Sequence, residues 1–160
     1  MGKITLTEID PSLHIILSSA GWSAGRAVDI VALEGVLTAR GISISPTLRE
    51  IIANFDGLTL AADRYSWLQF CLSMELEATS DEEFEYLHRI AGEPVCPLGQ
   101  APNSDFFGTA SGSILCVDQD WLFVLKAKNL NDFFCGILLR DKSRLQTVWL
   151  TDAQRPTQTG

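Results

Sequence analysis

Positive charge is in short supply in this chain: 12 Lys and Arg stand against 20 Asp and Glu, a formal charge of −8. Binding to a duplex nucleic acid draws most of its affinity from Lys and Arg on phosphates, so direct nucleic-acid binding is not expected. An anionic membrane surface is disfavoured for the same reason. Long apolar runs are missing too; none reaches the ~18 residues of a membrane span. The opening stretch Met1-Gly2-Lys3-Ile4-Thr5-Leu6-Thr7-Glu8 lacks the roughly 7–15 apolar residues of a secretory signal. Leu6 stands where a myristoylation signal needs Ser or Thr.

Metal-ligand and nucleophile patterns are equally absent. Cys71, Cys96, Cys116 and Cys135 form no Cys-x-x-Cys pair, and the two histidines, His14 and His88, stand at no ligand spacing from them. The cysteines sit in apolar runs such as Phe70-Cys71-Leu72 and Leu115-Cys116-Val117, where a free thiol behaves as a small hydrophobe. No Gly-x-Ser-x-Gly elbow occurs. The stretch from Gly21 to Arg26 follows no predicted strand and matches no phosphate-binding loop. Arg26 reads as a tie between helices. The expectation is a reduced, cytoplasmic chain with no catalytic residue, no cofactor and no metal.

What is present is a globular composition, with 46% hydrophobic and 20% charged residues over 160 positions. That length suits one domain, placed at 1–150, followed by a polar tail over 151–160 that is expected to fray. Asp10-Pro11 opens a first helix, with Leu13, Ile16, Leu17 and Ala20 on one face and Gly21 as its stop. A second helix is predicted over 28–40. A third starts at Ser45-Pro46, with Leu48, Ile51, Ile52 and Phe55 inward.

The period then changes. Leu68, Phe70, Leu72, Met74 and Leu76 alternate with mostly polar residues, which predicts one long half-buried strand over 67–77. Ser80-Asp81-Glu82-Glu83 is a capping box that starts a helix ending at Gly92. Short strands are expected over 95–98, 106–109, 114–117 and 121–125, with Asp118-Gln119-Asp120 as the last hairpin turn. A closing helix is expected over 131–139. Helices first, sheet second and a final helix give an α+β fold.

One charged constellation stands out: Glu75, Glu77, Asp81, Glu82, Glu83 and Glu85, with no Lys or Arg between Arg64 and Arg89. The helix start at Ser80 accounts for Asp81, Glu82 and Glu83 electrostatically. Glu75 and Glu77 would share one strand face and repel, so they need another reason. Charge alone fits both a solvated face and a binding patch.

Read in order, the motifs resemble the SUKH superfamily of bacterial immunity proteins, most closely its third subgroup. The segment Leu17 to Arg26, Leu-Ser-Ser-Ala-Gly-Trp-Ser-Ala-Gly-Arg, is similar to the subgroup's opening "aGW…gR" motif. Ile51 to Leu60 resembles its "f…Fggl" step, Val95 to Gly99 its "PlG" motif, and Ser111 to Trp121 its "G.l.id..g" hairpin. The resemblance spans Leu13 to Leu139. At Asp120-Trp121 the chain departs from it, with a bulky Trp where a small glycine turn is expected.

The resemblance implies a curved, mostly antiparallel sheet flanked by helices, and a non-catalytic antidote that neutralises the toxin domain of a polymorphic toxin system. Such toxins are often nucleases or nucleic-acid deaminases. The alternative within the superfamily is a scaffold or regulatory interaction module without a toxin. Toxins of that kind are basic around their clefts, and an acidic inhibitor steers onto them. The expected partner-binding residues are Glu75, Glu77, Asp81, Glu82 and Glu85, anchored by Trp67 on the wet strand face and Trp121 beside the hairpin. The sequence sets no oligomeric state.

Overall fold

The structure, a computed structural model, describes residues 9–156. The opening eight residues, read above as carrying no leader, lie outside it, as do residues 157–160 of the tail.

Asp10 accepts the amide of Ser12 at 2.9 Å, and a 3-10 turn, Pro11–Leu13, runs into α1 (His14–Ser19). Leu13 and Leu17 are fully buried. The second helix, α2 (Val31–Ala39), begins later than its apolar period suggests, because Asp29 accepts the amide of Val31 at 3.0 Å and sets the start there. In α3 (Pro46–Phe55), Ser45 accepts the Leu48 amide at 3.2 Å. Leu48, Ile51, Ile52 and Phe55 all face the core.

The sheet follows as an open seven-stranded antiparallel meander. Its strands are β1 (Thr59–Asp63), β2 (Ser66–Phe70), β3 (Val95–Ala101), β4 (Ser104–Thr109), β5 (Ile114–Asp118), β6 (Phe123–Ala127) and β7 (Gln146–Trp149). Each pairs with its neighbour in sequence. The helices α4 (Leu72–Ala78) and α5 (Asp81–Ala91) interrupt it after β2, and α6 (Leu130–Leu138) after β6. The domain is α+β, as the order of patterns predicts. Among the described residues no helix is long and apolar enough to cross a membrane.

The strand predicted over 67–77 is corrected. It stops at Phe70, and Cys71 (φ −146°, ψ 63°) turns the chain into α4. Asp56, from the end of α3, accepts the amide of Leu72 at 3.2 Å and so caps that turn from a distance. Leu72 and Leu76, two of the alternating apolar residues, are also four apart and share the inner side of a helix. The third, Met74, is 53% exposed. Beyond β7 the chain forms another 3-10 turn, Asp152–Gln154, held by a Thr151–Gln154 capping box, where the sequence shows no pattern.

Aromatic rings fill the centre. Trp22 stacks on Phe55 at 5.8 Å, Phe55 on Phe70 at 5.3 Å, and Phe134 of α6 meets Phe55 edge-on at 5.3 Å. Arg26 donates to the carbonyls of Asn54 (2.6 Å) and Asp56 (3.0 Å), closing the end of α3. The Gly-Trp…Arg motif is thus architectural: its Trp stacks on α3 and its Arg caps that helix. Gly99 serves the same end. It lies at the β3 irregularity opposite β4, and a Cβ there would stand 1.9 Å from the Gln69 carbonyl oxygen of β2.

Candidate functional site

The acidic run lies on α4, on the turn after it and on the first turns of α5. Ser80 and Glu83 exchange hydrogen bonds of 3.0 and 3.1 Å, which fixes the start of α5 and spreads Asp81, Glu82 and Glu85 over its outer side. Phe84 and Leu87 hold the inner side. Glu77 is exposed at the end of α4.

The run is less isolated than its sequence neighbourhood implies. Arg40, capping the end of α2, donates to the carbonyls of Leu76 and Thr79 and to Asp81 at 2.8 Å, with its guanidinium 5.2 Å from the Phe84 ring. Arg89 stands 3.8 Å from Glu85. Asp81 and Glu85 are thus each offset by an arginine, although pairs this exposed contribute little to stability.

Two residues expected at this surface are elsewhere. Glu75, read as wet, is 2% exposed, because the turn into α4 rotates it beneath the helix against the sheet. Trp121, expected as a surface anchor, is 8% exposed. It sits in the hairpin turn at φ 57°, donates to the Asp118 carbonyl at 2.8 Å and meets Tyr86 of α5 edge-on at 6.5 Å. Its departure from the family motif therefore anchors α5 internally. Trp67 remains half-buried on β2, and Met74 is the apolar side chain that α4 turns outward.

Beneath α4 the buried Glu75 carboxyl meets Asp105 of β4. Burial pushes Glu75 up to about 7, with the Asp105 charge next in importance. Burial raises Asp105 as well, while its hydrogen bond with Glu75 pulls it back down. The pair therefore holds a proton near neutral pH. A carboxyl with a raised pKa is a feature of general acids. Here it lines neither of the two grooves described below, and its Oε1 has no hydrogen-bond partner among the described residues.

All four thiols are free. Burial pushes Cys71 up to about 11 and Cys96 and Cys116 up to about 12, and raises Cys135. Native labelling at neutral pH should therefore modify at most Cys71 quickly, since Cys96, Cys116 and Cys135 are buried and protonated. The melting temperature should not respond to reductant or EDTA. Rapid labelling of three or four thiols would contradict this reading. Among the described residues no three His, Cys, Asp or Glu side chains could hold a metal ion.

Sequence reasoning missed the opposite end of the sheet. A groove of about 590 Å³ there is lined by Tyr65, Phe123, Arg140, Lys142 and Trp149. A second, of about 360 Å³, is lined by Lys126, Lys128, Arg144 and Gln146. Tyr65 is 65% and Trp149 70% exposed. The one signal available in the sequence was the clustering of Lys and Arg after residue 125.

Comparison with known proteins gives a family but no close relative. The model of a family described as SUKH-3 immunity protein matches residues 9–128. Among curated proteins and solved structures, nothing matches the chain.

Proposed function

Because the chain belongs to the SUKH-3 immunity protein family, we propose that it is a non-catalytic antidote that binds and blocks a cognate toxin domain in the bacterial cytosol. The toxin is read as a nuclease or nucleic-acid deaminase of a polymorphic toxin system. The observation that carries this is the family match over most of the fold. The acidic surface of α4 and α5 supports it, since a field of that sign draws in a basic catalytic cleft.

The contact surface is Glu77, Asp81, Glu82 and Glu85. With Glu75 and Trp121 buried, Met74 joins Trp67 as the apolar anchor, and its flexible thioether adapts to an irregular partner. Exposed charges act chiefly on association, so the anchor governs how long the complex lasts.

The test is co-expression with the toxin domain encoded beside it, followed by co-purification and stopped-flow binding. The antidote should rescue growth and co-purify. Reversing Glu77, Asp81, Glu82 and Glu85 together to Lys should slow association at least about tenfold at low salt and flatten its salt dependence. Met74→Ala or Trp67→Ala should instead speed dissociation. A toxin that keeps full activity beside a stoichiometric amount of this protein rejects the antidote reading. Salt-independent association, unchanged by the reversals, rejects the acidic surface.

A further inference from the structure

The chain is electrically divided. From residue 126 onward it carries Lys126, Lys128, Arg140, Lys142, Arg144 and Arg155 against Asp132, Asp141 and Asp152. That is a net +3 in a chain whose net charge is −8. Arg140, Arg144 and Arg155 are engaged by Asp63, Asp132, Asp141 and Asp152. Lys126, Lys128 and Lys142 form no ion pair with a described residue. This positive end surrounds β7; Lys126 and Lys128 close the stretch that the family model matches, and the rest lies beyond it.

The two edges of the meander differ. β1 packs against α1, has an irregular register between Ala61 and Asp63, and ends in the Asp63–Arg140 ion pair of 3.1 Å. Those are devices that stop a foreign strand from adding. β7 has no charged residue, proline or irregular register, and Gln146, Thr147 and Trp149 are exposed.

Its backbone is also aimed outward in a definable way. Leu150 donates to the carbonyl of Leu122 at 3.0 Å, which fixes the hydrogen-bonding phase of the ladder at Leu150. Alternation along an antiparallel ladder then turns Gln146 and Val148 toward β6. Thr147 and Trp149 present their N–H and C=O groups to the open side. The 5.2 Å approach of the Phe123 and Trp149 rings fits the closer spacing of a pair that is not hydrogen-bonded.

We propose that β7 is a docking edge for an extended acidic segment of a partner protein, which adds as an eighth strand. Its backbone pairs with Thr147 and Trp149. Its carboxylates meet Lys126 and Lys128 on one face, and its alternate apolar side chains lie against Phe123 and Trp149 on the other, where Lys142 borders the groove. The charge is what selects this occupant: three lysines with no ion pair to a described residue frame an edge strand that has no charged residue of its own. The site is separate from the acidic α4–α5 surface and independent of the toxin reading.

The test uses the full-length protein and a capped peptide, Asp-Val-Glu-Val-Asp-Val, with Lys-Val-Lys-Val-Lys-Val as its counterpart. In the free protein the Thr147 and Trp149 amides should exchange rapidly, and saturating acidic peptide should slow both at least about tenfold. Thr147→Pro removes an outward N–H while sparing the ladder to β6, and should weaken the peptide about fivefold. Lys126→Glu with Lys128→Glu should weaken it at least about tenfold at low salt. No protection at millimolar peptide overturns the proposal, as does equal protection by the lysine peptide. Slow exchange of both amides in the free protein overturns it too, because the edge is then already covered by the chain itself or by a second copy.

Discussion

Replacing Glu75 by Gln should stabilise the protein at pH 8 and leave it unchanged near pH 4.5. The side chain is 2% exposed, faces Asp105 and has its pKa raised to about 7 in the folded state, against about 4.5 for an ordinary glutamate. A carboxyl raised in this way binds its proton more tightly when folded. Its contribution to stability is therefore complete below about pH 4.5 and is lost as pH rises through about 7. Above that, wild-type protein buries a charge beside a second carboxylate. Gln keeps the shape, carries no charge and can donate to Asp105 as the protonated acid does. The gain at pH 8 should be on the order of 1–3 kcal/mol, which for a domain of this length raises the melting temperature by roughly 2–10 °C. Melting curves of both proteins between pH 4.5 and 8.5 decide the matter. Parallel curves across that range would mean that Glu75 keeps an ordinary pKa, and with it would go the description of the Glu75–Asp105 pair.

Gly99→Ala should be among the most damaging single-methyl changes available. The added Cβ meets the Gln69 carbonyl oxygen at 1.9 Å, the carbon of that carbonyl at 2.9 Å and the Phe106 ring at 2.9 Å. Two of the three contacts are backbone of the neighbouring strand, so relief requires β2 and β3 to part where Phe70 enters the aromatic core. A loss of at least about 3 kcal/mol is expected, the upper end of what overpacking costs. Gly35→Ala is the matched control. Gly35 lies inside α2 with nothing within 4 Å of its would-be Cβ, and Ala there should gain about 0.5–1 kcal/mol. Denaturant midpoints of the two variants should move in opposite directions. A neutral Gly99→Ala would mean that the strand contact yields easily and that the glycine of the Pro-Leu-Gly motif has another purpose.

Local signals could be read wherever a side chain serves its own element. Ser45-Pro46 and Ser80 with Glu83 cap helices in the structure as their spacing predicts. The motif order identified the family. The reading failed where the deciding partner is remote in sequence. Nothing near Cys71 announces that Asp56 will cap α4, so Leu72, Met74 and Leu76 were read in the period of the preceding strand. That single error placed Glu75 on a wet face. Trp121 was misplaced for a related reason: a large residue beside a turn looks exposed until Tyr86 is brought against it. Gln146 to Trp149 is too short to show an alternation, so β7 and the groove beside it had no sequence signal beyond the clustered lysines.

The pairing order of the strands has a kinetic consequence. Each strand joins the one made just before it, and four of the six ladders, β1–β2, β3–β4, β4–β5 and β5–β6, close over a short turn at a low loop-closure cost, while β2–β3 and β6–β7 close around the helices between them. The sheet can lengthen as synthesis proceeds, from β1–β2 toward β6–β7. Completion of the core waits for α6, which delivers Phe133 and Phe134, and for the Asp10–Asn131 hydrogen bond of 2.7 Å that joins positions 121 residues apart. Refolding should accordingly show early strand protection followed by a later step that buries the aromatic centre. Mutations in α6 should slow that last step while leaving the early protection intact. An antidote built this way would have its α4–α5 surface assembled before its C-terminal third leaves the ribosome.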